Sequence, residues 1–253
     1  MSRFADKLKN ALQVTPPAMG FSRNVTPAPK PHMLVVAQLA FEDTDSILDV
    51  VKYADAIVVV CNKAVPIKTL KALLKAVGDV PLGLHFIGIP QVKATEGVDF
   101  KVFVAENRPL LSGDFADGKV LAIPLDLPDG LARTLSDLPV ESVLVNATGE
   151  LSWVDLMRLY FLNSVVTKPL LAQVSVAVSE NEINMLWDAG VDALVVSLSS
   201  DRKANFIKLR STVDGLKLAP KRKWVKTRAI VPVVKQDGIA HTYDDDDDSG
   251  DDE

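Results

Sequence analysis

Short apolar runs recur along the middle of this chain, near 33–39, 56–61, 82–87, 101–106, 120–126, 142–147, 170–176 and 193–198. Rich in Val, Ile and Leu and bounded by turn-forming residues, they read as buried strands. Between several of them apolar residues return every three or four positions. That spacing predicts amphipathic helices at about 44–53, 66–77, 151–164, 180–189 and 201–213. Ile89–Asp99 and Arg108–Lys119 are too short or too loop-like for full crossover helices, so the middle of the chain is expected to be irregular. Alternating strands and helices make an α/β protein with a parallel sheet covered by helices. Eight strands is the number that closes a parallel (β/α)8 barrel. Two strands open alike, Asp55-Ala56-Ile57-Val58-Val59 and Asp192-Ala193-Leu194-Val195-Val196.

The flanks follow other patterns. Phe4, Leu8 and Leu12, with Arg3, Lys7 and Lys9 on other faces, predict an amphipathic helix over 2–13. It suits packing against the barrel bottom better than docking on a membrane surface or a partner. Residues 14–31 carry five prolines and read as an extended linker. Residues 32–218 form the barrel, and 219–243 a strap with the basic run Lys221-Arg222-Lys223-Trp224-Val225-Lys226-Thr227-Arg228. A solvated strap with Trp224 packed on the barrel is the better reading of that run, and nucleic-acid binding the lesser. Pro232 argues against a central strand there. Residues 244–253 form an acidic tail expected to be disordered.

Composition narrows the class. At 253 residues and 48% apolar, the chain suits one α/β domain. The net charge of −5 misleads, because eight acids lie in 244–253 and the remaining residues carry +3. One cysteine, Cys61, allows no intramolecular disulfide and suits a reducing compartment. The first residues lack a signal-peptide core, and no run reaches the ~18 apolar residues of a membrane span, so a soluble cytoplasmic protein is expected.

Candidate chemistry follows from period-two alternation along the strands. If the bulky aliphatic positions face the helices, then Gln38, Gly83, His85, Asp126, Asn146, Thr148, Gln173, Ser175, Ser197 and Ser199 face the lumen. Asn62, Lys63, Glu106, Asn107 and Glu150 stand just past strand ends. Carboxyl ends of barrel strands are where catalytic groups gather. Asp126, His85 and Glu106 are the acid–base candidates. Gln38, Asn62, Lys63, Asn146, Gln173, Ser175, Ser197, Ser199 and Ser200 are the ligand-binding candidates. Each has a plainer alternative: His85 as a core residue, Asp126 as the cap of the turn Leu127-Pro128-Asp129-Gly130, the serines as partners of backbone groups. Lys63 is a Schiff-base candidate or a solvated loop residue. No Gly-x-Ser-x-Gly elbow and no phosphate loop ending in Lys-Ser/Thr occurs. With only His32, His85 and His241, zinc is not assigned; magnesium on Asp126 and Glu106 would be unspecific. The pattern assigns no cofactor.

Lys168-Pro169-Leu170-Leu171-Ala172-Gln173-Val174-Ser175, followed by Ser179 to Val196, resembles the seventh and eighth units of phosphate-binding TIM barrels. That group includes the indole-3-glycerol phosphate synthase, histidine-biosynthesis and thiamin phosphate synthase barrels. The resemblance implies a TIM barrel with an anion site after its last two strands, where glycines let backbone amides approach phosphate. This chain has Gln173-Val174-Ser175 and Ser197-Leu198-Ser199-Ser200 at those places, so serine hydroxyls and the amides after Ser200 become the implied anion groups; Asp201 would instead cap the helix and repel an anion. Two functions stand. One is a lyase, isomerase or synthase acting on a small anionic metabolite, phosphorylated or carboxylate. The other is a non-catalytic, degenerate barrel that binds ligands or protein partners, the latter through the N-terminal helix or the basic strap.

Overall fold

Strand pairing in the computed structural model, which describes residues 2–12, 32–63, 65–87, 97–105, 118–199 and 203–219, runs without interruption around a closed parallel barrel. Its strands are β1 (Leu34–Ala40), β2 (Ala56–Cys61), β3 (Leu82–Phe86), β4 (Phe100–Val104), β5 (Lys119–Ile123), β6 (Ser142–Asn146), β7 (Leu170–Val174) and β8 (Val191–Leu198). β1 pairs with β8 and closes the ring. All eight expected strands are present, with shifted ends. β5 stops at Ile123 because Pro124 has no N–H for the ladder. β8 starts earlier than expected, and a register irregularity against β7 lies at Leu170/Leu171.

The helices are α1 (Arg3–Leu12), α2 (Ile47–Val50), α3 (Ile67–Val77), α4 (Asp129–Thr134), α5 (Trp153–Val165), α6 (Glu180–Asp188) and α7 (Lys203–Gly215). Where one helix is expected over 44–53, a 3-10 turn at Phe41–Ser46 precedes the brief α2. The sequence of that turn ends in Asp, Thr, Asp and Ser, all weak helix formers, so the regular helix is delayed. The turn expected at Leu127–Gly130 opens the short α4, entered through Pro128. Ser152 with Asp155, and Ser179 with Glu182, form reciprocal capping boxes that start α5 and α6. Gly190, with φ near +100°, makes the turn from α6 into β8; any Cβ there would meet the Asn163 side chain at 2.1 Å. The irregular stretches expected at 89–99 and 108–119 lie largely outside the described residues, and the linker, the strap beyond Ala219 and the acidic tail lie wholly outside them. The described residues belong to the first of two units into which the chain divides, Met1–Arg222. No described helix is long and apolar enough to cross a membrane.

Two apolar layers follow from the strand alternation. Val35, Ala37, Leu39, Ile57, Val59, Leu82, Leu84, Val143, Val145, Ala172, Val174, Leu194 and Val196 pack under the helices. The alternate positions, Leu34, Val36, Ala56, Val58, Phe100, Val102, Val120, Leu144, Leu171, Ala193 and Val195, fill the lumen. The lumen layer also contains Phe4, Leu8 and Ala11 of α1. The helix therefore closes the barrel from the strands' amino ends, and the face on which partner docking would rest is already covered. Leu12 is only half-buried; Ala11 takes the third position of the stripe.

A ring of acids at the strand starts holds this end together. The Asp55 carboxylate accepts the Val35 N–H at 2.8 Å, Asp99 that of Leu82 at 2.9 Å and Asp192 that of Leu170 at 2.9 Å. In each case an acid before or at the start of an even-numbered strand secures the start of the preceding odd one. The repeated Asp-Ala order in the sequence has this origin. The same ring fastens α1. Glu141 accepts from the Ser2 N–H and Oγ, Asp99 pairs with the Arg3 guanidinium at 2.6 and 2.8 Å, and the Asp55 carbonyl accepts from Lys7 Nζ at 3.0 Å. Ser2 Oγ in turn accepts the Ala5 N–H at 3.1 Å, which caps α1.

Candidate functional site

With one end plugged by apolar side chains, the polar lumen positions collect at the strands' carboxyl ends. Gln38 comes from β1, His85 from β3, Asn146 from β6, Gln173 from β7 and Ser197 from β8. Gln38 and Ser197 are register partners across the closing β1–β8 pair. Asn146 and Gln173 are register partners across β6–β7. Alternation thus brings these five candidates to one end of the barrel.

Their hydrogen bonds separate them into two kinds. Gln173 Nε2 donates to Ser197 Oγ at 3.0 Å. A hydroxyl oxygen accepting in this way keeps its own hydrogen to donate elsewhere. Asn146 Oδ1 accepts from the Thr148 N–H at 3.1 Å and hydroxyl at 2.9 Å, so it organises its own loop. Gln38 and His85, by contrast, are each only 7% exposed, and Gln38 Oε1, His85 Nδ1 and His85 Nε2 have no hydrogen-bond partner. Burial lowers the His85 pKa, so the ring is neutral near pH 7. Its register neighbours Val60 and Val102 bring no charge to offset that. Within the described strands every side chain on the lumen side at this end is uncharged.

A cleft of about 320 Å³ opens beside this ring, between the loops that follow β6 and β7. Thr148, Glu150, Ser175 and Glu182 are among its lining residues. The Glu182 carboxylate accepts from the Ser179 N–H at 2.8 Å and Oγ at 2.7 Å, and these bonds hold its pKa below the usual range. Glu182 is absent from the candidate set read from sequence; its signal was the Ser-x-x-Glu capping box at 179–182, which announces a helix start rather than a site.

The remaining described candidates stand just past strand ends at the same end of the barrel. Asn62 and Lys63 are exposed just past β2, and Asp126 is exposed three residues past β5. Ser175 and Ser199 are exposed beyond the ends of β7 and β8. Ser175 Oγ accepts the Ala177 N–H at 3.3 Å, in keeping with its plainer role as a partner of backbone. Glu106, Asn107 and Ser200 lie outside the described residues. Cys61, facing the helices, is inert: burial pushes its thiol up to about 11.

A closed parallel eight-stranded barrel with helices outside and polar groups at the carboxyl ends is the TIM-barrel fold. Solved structures that share it include a mutant tryptophan synthase alpha-subunit from the hyperthermophile Pyrococcus furiosus, at 15% identity over 72% of this chain and 97% of that one, with a TM-score of 0.52. The thiamine phosphate pyrophosphorylase of Pyrococcus furiosus matches at 14% identity over 72% of this chain and 96% of its own, TM-score 0.52. The (S)-3-O-geranylgeranylglyceryl phosphate synthase of Thermoplasma acidophilum, in complex with its substrate sn-glycerol-1-phosphate, matches at 10% identity over 85% of this chain and all of its own, TM-score 0.55. At such identities the likeness shows the fold. No family's sequence profile matches the chain, and no curated protein does.

Proposed function

We propose that this barrel binds a small anionic metabolite, phosphorylated or carboxylate, at the carboxyl ends of its strands and acts on it as a lyase, isomerase or synthase. The observation that carries the reading is the unpartnered pair Gln38 and His85, buried in the lumen of a barrel whose other end is sealed. A buried polar group without a partner costs about 1–3 kcal/mol. Three such atoms at the site end of a barrel are accounted for by a ligand that completes their hydrogen bonds. Gln38 Oε1 would accept from a substrate hydroxyl, and neutral His85 would take or return a proton beside it. The Ser197 hydroxyl, fixed by Gln173, would donate to the anion, with Ser199 and Lys63 at the rim. Two of the similar barrels carry phosphate in their names, and one is complexed with a glycerol phosphate, which supports the substrate class. A buried thiol at Cys61 suits the reducing cytoplasm.

A second reading, binding without turnover, is favoured by the uncharged lumen: within the described strands no carboxylate or lysine joins His85 there. Thermal-shift titration against phosphorylated sugars, carboxylic acids and uncharged polyols tests the shared premise, because a ligand of the native state raises the midpoint. The expected result is a hit among the anions that is lost in both Gln38→Ala and His85→Gln. A hit that survives both substitutions would place binding elsewhere. Turnover of that ligand, absent in His85→Gln, separates the enzyme from the binder.

A further inference from the structure

The outer face of α5 is apolar and uncovered among the described residues. Leu156, Leu159 and Leu162 point into the core, while Trp153, Val154, Met157 and Tyr160 are 77, 54, 69 and 50% exposed. At about 100° per residue these four fall on one side of the helix, opposite the three leucines. Apolar side chains thus lie on two opposite faces of α5, the inner one buried and the outer one exposed. The one charged pair on α5, Asp155 with Arg158 at 3.8 Å, is satisfied within the helix. The neighbouring helices α4 and α6, which both pack on α5, add exposed Leu131 and Met185.

Size and charge indicate what covers this face. With roughly 150–250 Å² for a large side chain, the exposed part of the patch is on the order of 600 Å², at the upper end for a monomer's largest patch. Two such patches face to face bury about 1,200 Å², above the ~1,000 Å² that marks a specific interface. With Asp155 and Arg158 paired on α5, the helix face itself brings no unpaired charge to the contact. Trp153 and Tyr160 lie nearly symmetrically about Met157, so a two-fold axis near Met157 would bring Trp153 of one copy against Tyr160 of the other. We propose that α5 is the centre of an interface with a second copy of this chain, the two helices antiparallel.

Sedimentation of the full chain tests this. The expected mass is twice the 27.4 kDa of one chain. Met157→Arg, at an exposed position, should halve it with the circular dichroism unchanged. Ile207→Arg on α7, also exposed, should leave it intact. Met157→Cys should cross-link under mild oxidation into a covalent dimer, since the buried Cys61 does not compete. A wild-type mass of one chain, loss of the dimer in Ile207→Arg but not Met157→Arg, or failure of Met157→Cys to cross-link would each overturn the proposal.

Discussion

Gly83 sits in β3 beside the Phe100 ring, which itself stacks on Phe4 at 4.5 Å between centroids. A Cβ on Gly83 would lie 2.3 Å from that ring. Gly83→Ala should therefore destabilise the barrel by about 1–3 kcal/mol through overpacking, measured by urea unfolding. Period-two alternation tells that Gly83 faces inward but not that a ring from β4 and a ring from α1 occupy the space beside it. Two residues along, His85 has a pKa lowered by burial. As pH falls below its ordinary value of 6.5, the unfolded chain takes up a proton that the folded chain refuses, so stability drops until the folded-state pKa is reached. The melting temperature of His85→Gln should decline less between pH 7 and pH 5 than that of the wild type. Parallel curves would show that His85 titrates alike in both states. Sequence periodicity placed the imidazole in the lumen; its lack of any partner depends on Val60 and Val102 beside it, which arrive from other strands.

α1 is the element whose role changes most between sequence and structure. Four-residue spacing announces its apolar stripe, yet the same stripe suits a membrane surface, a partner or the barrel's own lumen. The structure settles on the lumen, with three polar attachments at the starts of β2, β4 and β6. Burial and charge should weigh unequally there. Leu8→Ala removes a fully buried side chain and should cost about 2–5 kcal/mol. Arg3→Ala breaks an ion pair whose arginine is half-exposed and should cost under about 1 kcal/mol. Denaturant midpoints of the two variants check the order, and equal losses would mean that the ion pair rather than the plug holds the helix. Two of the three acids, Asp55 and Asp192, are visible in the sequence as a repeated Asp-Ala order, but the partners Val35, Leu82 and Leu170 lie 17 to 22 residues away.

At the scale of the whole molecule, the barrel has one sealed end, one polar end and one side that stays apolar. If α5 joins two copies, the thermal midpoint of the wild type rises with protein concentration and that of Met157→Arg does not. The residue pattern alone was enough for the eight strands, their order, most of the helices and the side of each strand on which Gln38, His85, Gln173 and Ser197 lie. Those follow from local periodicity, because a strand exchanges faces at every residue and a helix returns to its face every three or four. Periodicity records that a face is buried without recording what buries it. The plug formed by α1, the ring that demands a glycine at position 83 and the unpartnered buried atoms of Gln38 and His85 all depend on residues distant in sequence meeting in space. The outward face of α5 makes the same point from the opposite direction: its residues are as apolar as a core, and only the assembled barrel shows them left outside it.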